Sequence, residues 1–298
     1  MGLEVLRAGL QSTVQDQGRF GYAHLGVSAS GAADNFSLRI GNILVGNPKY
    51  SAGVEMTIIG DKYRFKSDTY IALTGSEFEA ELDNKPIPFW QGWPIKKEQI
   101  LDIRSTKTGA RCYLCVTGGI NVEDVMGSKT THLTSGIGGF HGRILKKLDE
   151  LHFGPLDDSI KPVQKVNDSI ITDTKIIKVT KGIQWPWFNK NQKNKLFHHS
   201  YKVTDLSNRM GLRLIGNAIN TKKENEITTA GIPLGAIQIP GDGQPIISFV
   251  EHQTTGGYPI IANVISADLR KVGQLKPGDC FQFELTSFSR AEKLKVDQ

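Results

Sequence analysis

Ile246-Ile247-Ser248-Phe249-Val250-Glu251-His252-Gln253-Thr254-Thr255-Gly256-Gly257-Tyr258-Pro259 is the stretch on which the fold is read. Its first five residues form a short apolar run of strand length, rich in β-branched and aromatic side chains, and read as a buried strand. The strand runs out into a carboxylate, an imidazole, an amide, two hydroxyls and two glycines. Polar groups gathered at the end of a rigid strand suit a small polar ligand, and paired glycines let it come close to the backbone. The same residues equally suit a hairpin turn whose side chains cap backbone groups, and both readings stand at this point.

The pattern of short strand, then glycine or proline, repeats outward along the chain. Tyr70-Ile-Ala-Leu73, Gln99-Ile-Leu-Asp-Ile103, Cys112 to Val116, Ile176 to Val179, Ala236-Ile-Gln-Ile239, Ile260 to Ile265 and Cys280 to Leu285 all read as strands. Many short strands with frequent turn signals predict a mainly β protein of barrel or sandwich class rather than a doubly wound α/β fold. Between the Ala236 and Ile246 strands, Pro240-Gly241-Asp242-Gly243-Gln244-Pro245 reads as a tight turn. Helices are expected to be few. One starts after Asp34 as N-cap, carries Phe36, Ile40, Ile43 and Leu44 at helical spacing, and closes at Gly46. A shorter one is expected after Asn121, running to Gly127. A polar stretch with two prolines places a boundary after Gly154. The expected division is residues 1–157, a linker at 158–174, and 175–298.

The chain has 298 residues, of which 39% are hydrophobic and 22% charged, which predicts a packed core and room for two domains. No apolar run approaches the roughly 20 residues that span a bilayer. The N-terminus lacks the basic and apolar regions of a signal peptide, so a cytoplasmic location is expected. The net charge of +6 includes many lysines between Lys161 and Lys195. No nucleic-acid-binding signature accompanies them, and a solvated lysine-rich face is expected. Cys112 and Cys115 have the spacing of a redox or zinc pair. On a strand, however, residues three apart face opposite ways, and buried free thiols are the expectation. His132, His141, His152 and the His198-His199 pair lack a compact ligand spacing, so no metal is expected.

Other segments carry chemistry that the sequence alone leaves open. Asp16 and Arg19 stand in Gln15-Asp16-Gln17-Gly18-Arg19, where they can pair with each other or face a ligand. Gly127-Ser128-Lys129-Thr130-Thr131 departs from a phosphate-binding loop, because Val122 stands where the first glycine belongs and Ser128 separates Gly127 from Lys129. Gly136-Ile-Gly138-Gly139-Phe-His-Gly142 lacks dinucleotide spacing and reads as tight turns. Arg209 and Arg213, four apart, are expected to share a face. Their planar guanidinium forks suit carboxylate or phosphate oxygens, or a salt bridge to a neighbouring strand.

Taken together, these blocks resemble a known family: the C components of 5-oxoprolinase, allophanate hydrolase subunit 2 and the KipA-like biotin-dependent carboxyltransferase-domain proteins. The resemblance rests on Gly9-Leu-Gln-Ser-Thr-Val-Gln-Asp-Gln-Gly-Arg19, Ser30-Gly-Ala-Ala-Asp34, Val116-Thr-Gly-Gly-Ile-Asn-Val122, Met126-Gly-Ser-Lys-Thr-Thr131 and Gly136-Ile-Gly-Gly-Phe-His-Gly-Arg143. It continues through Ser207-Asn-Arg-Met-Gly211, Ile237-Gln-Ile-Pro-Gly-Asp-Gly-Gln-Pro245, Gln253-Thr-Thr-Gly-Gly-Tyr-Pro259 and Gln274-Leu-Lys-Pro-Gly-Asp279, covering essentially the whole chain. One departure is Lys147-Leu148-Asp149, where the family usually has glycine before the aspartate.

The resemblance implies two β-rich domains with cyclophilin-like barrel character. It also implies two partners, the smaller KipI-like B component of 5-oxoprolinase and its A component. Together they would form an ATP-dependent enzyme that opens 5-oxo-L-proline to L-glutamate. On that reading His252 or Asp16 shuttles protons, and Arg209 and Arg213 meet carboxylate or phosphoryl charge. Thr254, Thr255 and Gln238 orient the substrate, and Gln15, Arg19, Gly256 and Tyr258 complete the expected site. ATP belongs to the complex. Two alternatives accompany this reading. One is carboxyl transfer as in urea carboxylases, with biotin carried by another polypeptide, because this chain has no Met-Lys-Met motif. The other is a non-enzymatic KipA-like antagonist of a KipI-like kinase inhibitor.

Overall fold

A computed structural model describes residues 1–155, 166, 175–221 and 227–297. The chain divides into two compact units, one of residues 1–19 and 30–171, the other of residues 20–29 and 172–298. The expected linker at 158–174 lies, apart from Val166, outside the described residues.

The first unit contains β1 (Gly2–Arg7), β2 (Gln11–Gln15), α1 (Asn35–Leu44), β3 (Gly53–Thr57), β4 (Lys62–Phe65), β5 (Thr69–Gly75) and β6 (Phe78–Leu82). It continues with β7 (Lys85–Pro86), β8 (Gly92–Ile95), β9 (Ile100–Thr106), β10 (Arg111–Val116) and β11 (Glu150–His152). These strands make a six-stranded sheet, β11-β1-β4-β9-β6-β7, and a five-stranded sheet, β2-β3-β10-β5-β8. Leu3, Val5, Tyr63, Phe65, Leu101 and Ile103 of the first sheet share one core with Val54, Met56, Ile71, Leu73 and Leu114 of the second. Helix α1 covers the outer face of the five-stranded sheet, where Leu38 and Leu44 meet Ala72, Tyr113 and Cys115. All six residues of β10 are therefore buried, and the strand shows no polar alternation. Cys112 packs between the sheets and Cys115 under the helix, as expected of opposite faces, and burial raises both thiol pKa values.

Asp34 caps α1 through both carboxylate oxygens, accepting from Ser37 N at 3.0 Å and Ser37 Oγ at 2.6 Å. Such a cap contributes about 1 kcal/mol. The helix expected after Asn121 does not form. Met126 and Gly127 take φ of 56° and 74°, which no right-handed helix accommodates, and Asn121 N donates to His152 O at 2.8 Å.

The second unit contains β12 (Ile176–Lys181), α2 (Lys190–His198), β13 (Tyr201–Val203), β14 (Gly211–Ile215), β15 (Ala230–Gly231), β16 (Ala236–Gln238) and β17 (Ile246–Ser248). It ends with β18 (Thr255–Gly256), β19 (Ile260–Val264), α3 (Leu269–Gly273), β20 (Cys280–Leu285) and α4 (Phe288–Val296). Seven strands close a barrel in the order β12-β19-β16-β17-β14-β13-β20. A parallel pairing of β12 with β20, Ile176 opposite Gln282, completes the ring. β16 and β17 form the expected hairpin, with Ile237 opposite Ile247. Its turn holds Gly243 at φ 75°. β15 and β18 form a separate two-stranded ribbon. Among the described residues, no helix is long and apolar enough to cross a membrane.

Candidate functional site

The expected site residues fall into both units. In the first, Gln15 ends β2 and its side chain is fully buried. Gln15 Nε2 donates to Thr13 Oγ1 at 2.9 Å and to Thr131 O at 3.1 Å, and its Oε1 accepts from Thr130 Oγ1. Asp16 accepts from Gly18 N at 2.8 Å, Ser128 Oγ at 2.7 Å and Lys129 N at 2.7 Å. Arg19 is 1% exposed, and donates from Nε to Val125 O at 2.8 Å and from its terminal nitrogen to Thr130 O at 3.0 Å. The three side chains thus stitch the 15–19 segment to the 125–131 loop. Gly138 and Gly139 make room for it. A Cβ on Gly138 would stand 2.5 Å from the Arg19 guanidinium, and one on Gly139 would stand 1.8 Å from Thr131 Oγ1.

The 127–131 loop does not fit a triphosphate. A phosphate cradle needs outward-facing amides. Here Lys129 N is held by Asp16, Thr130 N by Ser128 Oγ at 3.0 Å and Thr131 N by Val14 O at 2.9 Å. Among the described residues, no cluster of three or more His, Cys, Asp or Glu is arranged to hold a metal ion.

In the second unit, Arg209 precedes β14 and is 4% exposed. Its Nε lies 2.5 Å from Glu251 Oε1, and Glu251 N donates to Arg209 O at 2.8 Å. The pair therefore locks the segment after β17 to the segment before β14. Arg213 stands instead on the exposed face of β14, so the two arginines do not share a face. Gln238, at the end of β16, is buried, and its Nε2 donates to Ser248 Oγ of β17 at 3.0 Å. Gly256 of β18 lies against Gln238: a Cβ there would stand 3.8 Å from Gln238 Oε1. Thr254 O accepts from Ile232 N at 3.0 Å, and Thr255 pairs with Gly231, so their backbones are fixed in the ribbon.

His252 is half-buried, and desolvation lowers its pKa from the usual 6.5. Its Nδ1 lies 2.8 Å from Gln253 O. A carbonyl only accepts, so Nδ1 carries the proton and the Nε2 lone pair is left for another donor. A neutral imidazole with a fixed tautomer is suited to take a proton. The 251–257 segment thus joins a buried ion pair, a neutral imidazole and a backbone ribbon beside Gln238. Ser248 and Glu251 complete this arrangement. The sequence had only a weak signal for either: a lone hydroxyl inside an apolar run, and an acid at a strand end.

A barrel-bearing two-unit β protein with these motifs belongs to the family described as Carboxyltransferase domain, subdomain A and B, which matches residues 25–285. Within that family, the chain is 37% identical to the C component of 5-oxoprolinase from Escherichia coli (strain K12), over 99% of this chain and 95% of that protein. It is 34% identical to urea amidolyase of Saccharomyces cerevisiae, over 99% of this chain but 17% of that longer protein. Among solved structures, the K. lactis urea amidolyase superposes with a TM-score of 0.94 at 33% identity, covering 99% of this chain and 19% of that one. These relatives are components or domains of larger enzymes.

Proposed function

We propose that this chain is the C component of an ATP-dependent 5-oxoprolinase, which opens 5-oxo-L-proline to L-glutamate together with the A and B components. The observation that supports this most is the extent of the match. The 5-oxoprolinase relative is matched over 95% of its own length, whereas urea amidolyase is matched over a 17% segment. In the ring opening, the lactam C–N bond breaks, water oxygen bonds to the carbonyl carbon, and a water proton ends on the departing nitrogen. His252 Nε2 takes that proton and returns it. Gln238, Thr254 and Thr255 orient the ring, and Gly256 allows close approach. Arg209 positions this segment through Glu251. Gln15, Asp16 and Arg19 hold their own loop. ATP is assigned to a partner protein, because this chain's closest approach to a phosphate loop uses its amides internally.

The test combines the purified chain with its A and B partners and measures 5-oxoproline-dependent ATP hydrolysis and glutamate release. Absence of turnover with authentic partners rejects the reading. His252→Ala should lower kcat by about 100-fold or more while the complex still assembles.

Carboxyl transfer is the second reading, favoured by the 0.94 TM-score to the K. lactis urea amidolyase. It requires turnover that depends on a biotinylated carrier and bicarbonate. Tight binding of the KipI-like partner without turnover under either condition would instead favour a KipA-like regulator.

A further inference from the structure

A cavity of about 410 Å³ opens beside the barrel hairpin, lined by residues of β14, the β16–β17 turn, the segment after β13, and Tyr258. Its volume is in the range of small-molecule sites. Two features of its wall point to a particular ligand. Arg213, exposed on β14, makes no hydrogen bond or ion pair through its guanidinium among the described residues. Asp242 lines the same cavity. Its Oδ1 accepts from Gln244 N at 3.0 Å in the turn, while its second oxygen has no partner among the described residues.

Opposite charges that line one cavity without pairing with each other match a ligand that carries both charges. We infer that this cavity binds a small zwitterionic α-amino acid, its carboxylate on the Arg213 fork and its ammonium on Asp242. Pro240, Pro245, Leu206 and Ile215, the last two exposed, provide an apolar wall for the side chain. An arginine fork gives a carboxylate two parallel hydrogen bonds, which lysine cannot match. Tyr258, at the end of the 251–258 segment, also lines the cavity, and its filling needs no catalytic role.

The experiment is calorimetric titration of the full chain, without its partners, with three probes: L-glutamate, glycine and 5-oxo-L-proline. The last has a carboxylate but no ammonium. Both zwitterions should bind, and 5-oxo-L-proline should bind more weakly. Arg213→Gln should weaken all three by about tenfold or more. Asp242→Asn should weaken the two zwitterions and leave 5-oxo-L-proline unchanged. Circular dichroism checks that both variants stay folded. No heat with any probe at millimolar concentration overturns the inference, as does binding that Arg213→Gln leaves intact. Equal binding of L-glutamate and 5-oxo-L-proline, unaltered by Asp242→Asn, overturns the zwitterion assignment. Turnover of the assembled complex is a separate measurement, so failure here is distinguishable from failure of the oxoprolinase reading.

Discussion

The 15–19 segment and the 251–258 segment are equally polar as strings of letters, but the fold uses them in opposite ways. In the first unit, Gln15, Asp16 and Arg19 direct their polar groups onto the 125–131 loop, and Asp16 alone accepts three hydrogen bonds. In the second, one ion pair between Arg209 and Glu251 is buried, while His252 Nε2 and, on the neighbouring β14, the Arg213 guanidinium keep unused capacity among the described residues. A buried polar group must be satisfied or it destabilises the fold. Groups at a surface have no such obligation and remain available for ligands. The contrast is therefore between polar residues as scaffold and polar residues as site.

The largest effect expected from this contrast is at the ion pair. Glu251→Ala leaves the Arg209 charge buried without that carboxylate, and should lower the unfolding free energy by about 3–5 kcal/mol. Urea unfolding followed by fluorescence measures it, since Trp185 and Trp187 lie in the same unit. A loss below about 1 kcal/mol, on the scale of a surface pair, would place Glu251 with the surface groups and break the contrast.

Asp16→Ala comes next. It removes three acceptor contacts, two of them to the backbone, and should cost about 2–3 kcal/mol, as expected for hydrogen bonds to a charged group. The same unfolding experiment reads it. If stability is unchanged but activity of the complex disappears, Asp16 belongs with the site after all.

A smaller effect of opposite sign is expected at Leu148. The family usually has glycine there, and Leu148 has φ 74°, the left-handed region where a branched side chain is strained. The turn is held in place by its neighbours. Leu148 N donates to Val5 O at 2.8 Å, and Asp149 takes a bidentate pair from Arg143 at 2.7 and 2.9 Å. Leu148→Gly should therefore stabilise the protein by about 1 kcal/mol. Destabilisation would mean that the leucine side chain, 68% exposed, contributes more than its backbone strain costs.

Much of this was legible in the sequence, and the unread parts have physical reasons. Every strand expected from an apolar run is present, because a run of β-branched and aromatic residues has few other ways to be buried. Short strands such as Lys62–Phe65 and Gly211–Ile215 do alternate, but over only 4 and 5 residues, with charged residues or glycine among them, which is too short a pattern to stand out. The Asp34 cap was legible because capping is local. The helix after Asn121 failed because Met126 takes a left-handed φ of 56°, which the residues around it do not announce. Site residues were legible as polar clusters, but which of them are satisfied internally depends on partners about 40 to 115 positions away, such as Glu251 for Arg209 and Thr130 for Gln15.

The pH dependence of the second unit sharpens the contrast further. Desolvation holds His252 below its usual 6.5, so the folded state binds a proton less readily than the unfolded state. The stability this contributes is fully present above about pH 6.5 and is lost as pH falls through the lower folded value. Urea unfolding compared at about pH 5 and about pH 8, on either side of the ordinary histidine value, should show a small loss on the acid side. His252→Gln should remove it. An unchanged profile would mean that the imidazole is solvated in both states and that its tautomer is not set by Gln253 O.

The smallest stability effect is expected at Arg213, and it tests the contrast most directly because Arg209 is its near neighbour. Arg213 is exposed on β14 and its guanidinium pairs with nothing among the described residues, so Arg213→Gln removes no contact that folding uses. The unfolding free energy should change by no more than about 0.5 kcal/mol, the range of ordinary surface substitutions. Removing the carboxylate opposite Arg209 should cost several times that. The strand explains why. Leu212 and Leu214 occupy its inner face, so an arginine between them must face outward, whereas Arg209 lies before the strand begins and turns in to Glu251. A large loss in Arg213→Gln would show that the outward guanidinium braces the barrel, and the cavity it lines would then be part of the scaffold rather than a place for a ligand.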